Sequence, residues 1–551
     1  MKTFEALLRW AISCSYGKFL VIFFTLVVFG LTLAMFPTQI VKAKMLPGKS
    51  ADTFSIYLDL PPNASHFQTT QVAKCLLEVL SAEKEVTMLN TYIGMGSPLD
   101  YAGLVKGSGL KMGENVAEIV VNLTPKESRD ESSELMVHRI RPILQSNCSN
   151  MVENSSIKLV EEPAGPPVLA DIVVELYGNN YEILNSLNAT IRDILSQTKG
   201  LVDVDTLEDE PYEIFKLKVN TKRALAMGVD LKVLNDTLYL AYEGMVIEAQ
   251  NRDDYPWQVP LFLRLENHKP SGDSKEELEN LLASLFVPNA QGALIPMIEL
   301  VNIEPSIQEG AIFSKNLQNM QTITAQTDLV SQVYPLIDAR RAIMERLESE
   351  FEITTQGLFD LNLIHKEIKE PIKLVWDGEM KVTLDTFADL GSAFITALVI
   401  IFFLMVIYYK SFALSGIILM GSFLSIIGVI LGHWVMDLAV SGTFFVTATS
   451  MIGFIALMGI NSRNSLLIID FAKSLMQEGM SKKDAIAHAA ATRAKPIFLT
   501  VITVVLASAM LTLDPVFGGL GVSLIFGSLA SMVASLVFVP VLLDMGKIMD
   551  I

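Results

Sequence analysis

The chain is short of charge and of cysteine. Only 19% of its 551 residues are Asp, Glu, Lys or Arg, 51% are hydrophobic, and the mean hydropathy is positive. That composition excludes an ordinary soluble protein of this length and places the chain among membrane proteins. Basic residues are the scarcer sign, and the net charge of −18 argues against nucleic acid as a partner and against an anionic lipid surface. The three cysteines, Cys14, Cys75 and Cys148, form no CxxC pair and no Cys/His cluster, so neither a metal site nor a redox dithiol is indicated and no cofactor is expected. Cys75 and Cys148 are equally compatible with a disulfide and with two separate buried thiols. So large an exported region with only two cysteines reads as bacterial and periplasmic, although N-x-S/T triplets at Asn63, Asn154 and Asn188 would be glycan acceptors in a eukaryotic lumen.

Long apolar runs are what the chain has in abundance. Six reach the roughly 20 residues that a bilayer crossing takes: Phe19–Phe36, Leu390–Tyr409, Phe412–Met436, Leu438–Ile469, Pro496–Leu513 and Pro515–Leu543. The first follows an amphipathic stretch with Lys2, Arg9 and Lys18 and lacks a small-residue cleavage site, so it reads as an anchor rather than a signal peptide. The stretch Lys473–Lys495 carries five Lys/Arg against two acidic residues, and Asp437 and Asp514 sit in the opposite loops. The bias puts both termini in the cytoplasm and Thr38–Asp389 outside.

The outer region shows two similar units. Phe54–Leu60, Val86–Ile93, Ala117–Leu123 and Ile157–Val160 alternate as strands, and Phe67–Leu80 and Glu131–Leu144 have helical spacing. This order is βαββαβ, a split-βαβ unit. After the Pro-Gly cluster Glu162–Val168, a second unit starts with Asp171–Gly178, Tyr181–Ser196, Leu201–Thr206 and Ile214–Val219. Its last helix, Leu329–Ser349, and strand, Ile372–Trp376, come about a hundred residues later, beyond an insertion. In that insertion Thr221–Met227 is a short helix stopped by Gly228, and Asp230 is placed to cap the next.

Within the apolar runs, Arg463 stands out. A cation at that depth is costly and pairs with a carboxylate or lines a polar path, yet none of the six runs carries Asp or Glu near its middle. In the fifth run Arg493 and Thr500 are seven apart, two helical turns, and share a face. Pro496 suits the first turn of a helix, which places Thr500 one turn inside it. A hydroxyl and one or two guanidiniums converging between helices would carry or gate protons. His433 reads as an interfacial residue near the outer end of the third run.

These residues resemble the resistance–nodulation–division (RND) efflux superfamily, specifically the C-terminal half of its hydrophobe/amphiphile multidrug branch. The resemblance begins at Met45-Leu-Pro-Gly-Lys-Ser and Leu58-Asp-Leu-Pro-Pro-Asn-Ala. It passes through Gly165-Pro-Pro, Lys218-Val-Asn-Thr-Lys-Arg-Ala-Leu-Ala-Met-Gly228, Arg463-Asn-Ser-Leu-Leu-Ile-Ile-Asp-Phe and Lys495-Pro-Ile-Phe-Leu-Thr, and closes at Val539-Pro540. It implies an α-helical membrane protein with an α+β periplasmic domain. Residues 1–37 would hold the amphipathic segment and first span, and 38–165 the first ferredoxin-like porter subdomain. Residues 166–220 with 318–380 would form the second porter subdomain, 221–317 the inserted docking subdomain, and 381–551 a five-helix bundle in the inner membrane.

The same resemblance implies a proton relay of Arg463, Arg493 and Thr500. Arg463 stands where the family carries lysine, and an arginine keeps its proton far more stubbornly. The family's aspartate pair belongs to its N-terminal half, so the expected partners are a separately encoded half bearing those aspartates, a periplasmic adaptor and an outer-membrane channel, in a trimeric assembly. Tyr92–Gly113 would be the loop that separates binding pockets, with Tyr92, Met95, Tyr101 and Leu104 lining a pocket. Its Gly94, Gly96, Gly103, Gly107 and Gly109 would permit movement. The implied activity is proton-driven efflux of amphiphilic compounds, not enzymatic turnover. A protein-export accessory and a Cu(I) exporter using Met420, Met451 and Met458 are the alternatives, and no methionine cluster is evident in the porter region.

Overall fold

The computed structural model describes residues 2–44, 50–98, 101–108, 111–161, 165, 167–208, 211–265, 275–439, 444–514 and 516–546, apart from the side chains at 2, 101, 102 and 127. α1 (Lys2–Ser13) is one-sided: Leu8, Ala11 and Ile12 are buried while Leu7 and Trp10 face outward. An extended residue, Cys14, separates it from α2 (Ser15–Ala34), the first apolar helix.

The first α/β unit runs β1 (Thr53–Asp59), α3 (His66–Ser81), β2 (Val86–Met95), α4 (Tyr101–Lys106), β3 (Met112–Leu123), α5 (Ser133–Cys148), β4 (Ser156–Glu161). Its antiparallel sheet has the order β2-β3-β1-β4. Strict alternation in β1 sends Phe54, Ile56 and Leu58 to one face. There they meet Val72, Leu76 and Leu80 of α3 and Met136, Ile140 and Leu144 of α5. Ser65 and Gln68 close a capping box on α3, and Ser132 caps α5. Cys75 and Cys148 join the two helices in a disulfide, which decides between the two readings the sequence left open.

The second unit starts with β5 (Ile172–Tyr177), α6 (Tyr181–Gln197), β6 (Leu201–Thr206) and β7 (Tyr212–Val219). There follow α7 (Thr221–Ala226), α8 (Leu231–Tyr242), β8 (Met245–Gln250), β9 (Val259–Leu263), α9 (Lys275–Ser284), β10 (Phe286–Pro288), β11 (Leu294–Pro296) and β12 (Val301–Gln308). It ends with β13 (Phe313–Lys315), β14 (Gln318–Thr327), α10 (Val333–Leu347), β15 (Phe351–Gln356), β16 (Asp360–His365) and β17 (Pro371–Asp377). Its sheet has the order β14-β5-β17-β16-β15, with β13 and β6 both paired to the free side of β14.

The strand expected at Ile214–Val219 exists, but it does not join this sheet. It pairs with β12 in a two-stranded ribbon, and the place next to β5 is taken by β14. Alternation identifies a half-buried strand without naming its partner. β14 is hard to read from the sequence because it buries polar residues on both faces, Gln321 on one and Thr322 on the other. The β7–β12 ribbon leads to a small separate core of Ala224, Val229, Leu234, Leu282, Val287, Met297 and Leu300. Here Gly228 adopts φ +71° after α7, and the Asp230 side chain caps α8.

The rest is helical: α11 (Glu379–Tyr409), α12 (Phe412–Phe423), α13 (Ser425–Ala439), α14 (Ala448–Gln477), α15 (Lys482–Ala509), α16 (Gly518–Val533), a π-helical turn (Ala534–Phe538) and α17 (Val539–Met545). With α2, this gives six helices long and apolar enough to cross a membrane among the described residues, α12–α13 and α16–α17 each counting as one. Several boundaries differ from the sequence reading, and α11 already starts at Glu379, not at Leu390. α14 starts at Ala448, capped by Thr447, not at Leu438. α15 starts at Lys482, capped by Ser481, so Pro496 lies inside the helix and not in its first turn. Hydropathy marks where a helix enters hydrocarbon, whereas the alanine-rich stretch Ala485–Ala491 extends it well before that point.

Candidate functional site

Arg463 lies on α14 between residues that point into this chain's own bundle: Asn461, Ser462, Asn464 and Ser465 are buried and Arg463 is exposed. Among the described residues it makes no hydrogen bond or ion pair. The nearest acidic residue along α14, Asp470, is engaged elsewhere, accepting the Tyr409 hydroxyl at 2.7 Å. Lys473 sits over the same tyrosine ring, 4.7 Å from its centre.

Arg493 is half-buried on α15. Its guanidinium covers the ring of Phe471 at 4.8 Å, and its Nε is buried without an acceptor. Phe471 is two turns beyond Arg463 on α14, about 12 Å along the axis. Thr500 donates its hydroxyl to the Pro496 carbonyl at 2.9 Å, as threonines inside helices commonly do, and keeps its lone pairs free to accept. No hydrogen bond links Arg463, Arg493 and Thr500 to one another among the described residues.

His433 lies near the end of α13. It is fully buried, its Nδ1 2.7 Å from the Val429 carbonyl and its Nε2 2.7 Å from Ser450 Oγ. A ring carrying its proton on Nδ1 satisfies both contacts. The residue thereby pins α13 to the capped start of α14.

In the outer region, the segment between β2 and β3 is tethered, and part of it forms α4. Glu118 on β3 is buried and accepts from the Ser97 amide at 2.7 Å, the Ser97 hydroxyl at 3.0 Å and the Ser55 hydroxyl at 3.1 Å. A Cβ at Gly96 would sit 2.0 Å from the Ser108 carbonyl, so a close backbone approach requires glycine there. Tyr92 is half-buried, and Met95 and Leu104 are about half exposed. Tyr101 opens α4, with its side chain outside the described residues, as is Gly109. Met95 stands opposite Met112 across the β2–β3 pair, and both are exposed. The sequence reading missed this methionine pair because a β-bulge sets the register.

The two α/β units meet at the edge strands β4 and β6 through charge. Arg141 reaches Asp203 at 3.3 Å and Asp328 at 3.2 Å, and Lys158 bridges Asp59, at 2.7 Å, and Asp205. Lys111 also holds Asp59 at 2.6 Å. Burial alone would raise the Asp59 carboxyl, but Lys158 and Lys111 outweigh it and hold it at about 2. Closer to the membrane helices, burial and the neighbouring Glu134 push Glu161 up to about 7, against the pull of Ser133, Lys44 and Arg141. Lys44 is held above the ordinary lysine value despite burial, because Glu379, Asp171, Glu161 and Glu134 surround it.

The profile of the AcrB/AcrD/AcrF family matches residues 2–545. Among solved structures, two crystal forms of a heavy metal efflux pump superpose with TM-scores of 0.73 and 0.71, each at 17% identity. The match covers 99% and 98% of this chain and 51% of the pump chain in each form. The chain therefore spans about half the length of these structures, and at this identity the likeness is one of fold.

Proposed function

Because the chain belongs to the AcrB/AcrD/AcrF family of RND efflux transporters, we propose that it forms the C-terminal half of a proton-driven pump. Residues 38–165 and 166–220 with 318–380 serve as porter subdomains and 221–317 as the docking subdomain, in an assembly with an adaptor and an outer-membrane channel. The cargo is an amphiphilic compound taken up near Tyr92, Met95, Tyr101 and Leu104. Both termini lie in the cytoplasm.

The observation that carries this reading is Arg463, a cation at mid-span turned away from its own bundle and without a partner among the described residues. It is a fixed counter-charge for titrating carboxylates that lie outside these 551 residues, in the other half of the pump. Arg493 and Thr500 complete the proton path on α15. Removal of Arg463 then abolishes transport without abolishing assembly. Dye efflux from cells expressing the whole pump tests this: Arg463→Ala is expected to lose efflux, Arg463→Lys to keep a part of it, and both to reach the membrane at normal levels. Undiminished efflux in Arg463→Ala would overturn the reading.

Met95 and Met112 favour a second reading. Two exposed thioethers facing one another suit a soft ion such as Cu(I). Calorimetric titration of the whole chain with Cu(I) separates the two: stoichiometric binding lost in Met95→Leu and Met112→Leu supports metal export, and its absence leaves the amphiphile.

A further inference from the structure

Several buried polar groups of the membrane bundle lie at one depth, apart from the His433–Ser450 pair at the start of α14. α14 runs parallel to α16 and the π-helical turn after it in a constant register: Gly453 meets Ser523, Leu457 meets Gly527, and Ser465 Oγ lies 3.4 Å from Ser535 Oγ. That register sets Asn461 opposite Ser531, close to the midpoint of α14. The third span reaches the same level from another side, since Ser422 Oγ lies 3.2 Å from Ser462 Oγ and Gly428 meets Ala530. Ser425 is thereby within a turn of Ser531.

Asn461, Ser425 and Ser531 are all fully buried. Both amide atoms of Asn461 and both hydroxyls lack a hydrogen-bond partner among the described residues, and so does Nδ2 of Asn464 one turn on. In hydrocarbon such groups are costly unless something satisfies them. Both neighbouring spans are also irregular at this depth. The third breaks between α12 and α13 at Leu424, and the sixth turns π-helical over Ala534–Phe538. π-turns mark functional positions more often than chance.

The chemistry of the donors selects the occupant. Asn461 offers an acceptor and a donor side by side, and the hydroxyls serve as either. A cation would satisfy the oxygens and leave Nδ2 unpaired. Water satisfies all of them, and a buried water needs two to four polar partners. We propose that Asn461, Ser425 and Ser531 bind a small cluster of ordered water at mid-membrane. The site is separate from Arg463, which lies about 200° around α14 from Asn461. Water exchanges partners without side-chain repacking, so α14 can shift against α16 there without stranding a polar group.

X-ray radiolytic labelling of the reconstituted chain tests this, because bound water generates hydroxyl radicals where it sits. Met458 is fully buried one turn before Asn461 and is the reporter. It is expected to be oxidised in the native chain, several-fold less in Asn461→Leu, and less in the milder Ser531→Ala, which guards against a misfolded first variant. An unlabelled Met458 in the native chain, or labelling unchanged in both variants, would overturn the proposal. Sodium-dependent thermal stabilisation lost in Asn461→Leu would place an ion there and overturn it as well.

Discussion

The carboxylate of Asp203 accepts the amide hydrogen of Leu159 at 3.0 Å. Two edge strands of separate sheets, β4 and β6, are thus joined by a side chain where a backbone ladder would otherwise run. Asp203 adopts φ +51° to do so, a conformation that aspartate and asparagine tolerate better than most residues. A side-chain junction is separable without tearing a sheet. Asp203→Ala is expected to cost about 2–4 kcal/mol, because it leaves Arg141 buried and half-paired and removes the side-chain hydrogen bonds that offset a left-handed backbone. Thermal unfolding of the purified chain measures it, and limited proteolysis between β4 and β5 should rise.

The pH response divides by the sign of each shift. Asp59 is held at about 2, below its ordinary value of 3.8. Its contribution is present above that ordinary value and is lost as pH falls towards 2. Glu161 behaves oppositely. Raised to about 7 from 4.5, it favours the folded state fully below pH 4.5, and that contribution fades as pH rises through 7. Glu161→Gln is therefore expected to unfold at a higher temperature than the native chain at pH 8 and at the same temperature at pH 4. Melting curves at the two pH values check the crossover.

The disulfide between Cys75 and Cys148 ties the middle of α3 to the end of α5 across a sequence separation of 73. A cross-link closing so long a loop limits the unfolded chain, typically by about 2–4 kcal/mol. Cys75→Ser, or reduction with dithiothreitol, is expected to lower the unfolding free energy by that order and the unfolding temperature with it, and the two treatments together should add nothing further. Cys14, the free cysteine, gives no such effect when changed to serine.

The parts legible in the sequence are those where one physical signal dominates. Six spans were readable because long apolar runs have few other uses, and β1 and α3 because alternation and helical spacing are clean there. The start of α15 was not, because the helix runs from the alanine-rich stretch Ala485–Ala491 straight into the apolar run. β14 hid behind Gln321 and Thr322, polar residues that the packed sheet buries. The burial of His433 was not legible because a hydropathy profile gives no sign of Ser450, seventeen residues on, as its partner. The direction of Arg463 was half visible, since the polar residues flanking it share the buried face. No single sequence could show that Met95 opposes Met112, because the bulge that aligns them is a property of the sheet.

Gly96 offers the sharpest test of the β2–β3 segment. A methyl group there meets the Ser108 carbonyl at 2.0 Å, and a backbone oxygen cannot yield as a side chain can. The neighbouring Ser97 is held by Glu118 through two hydrogen bonds, so the strain falls on the α4 side, which carries Tyr101 and Leu104. Gly96→Ala is expected to displace α4 and change which compounds are exported, with the unfolding temperature nearly unchanged because the packed core of β1, β3 and α3 is untouched. Glu118→Gln releases the other side of the same tether, since an amide accepts less strongly than a carboxylate, and should shift the export profile in the same sense. Efflux assays across a panel of dyes, read beside melting curves, decide the matter. An unchanged export profile in both variants would show that this segment does not line the path of the cargo.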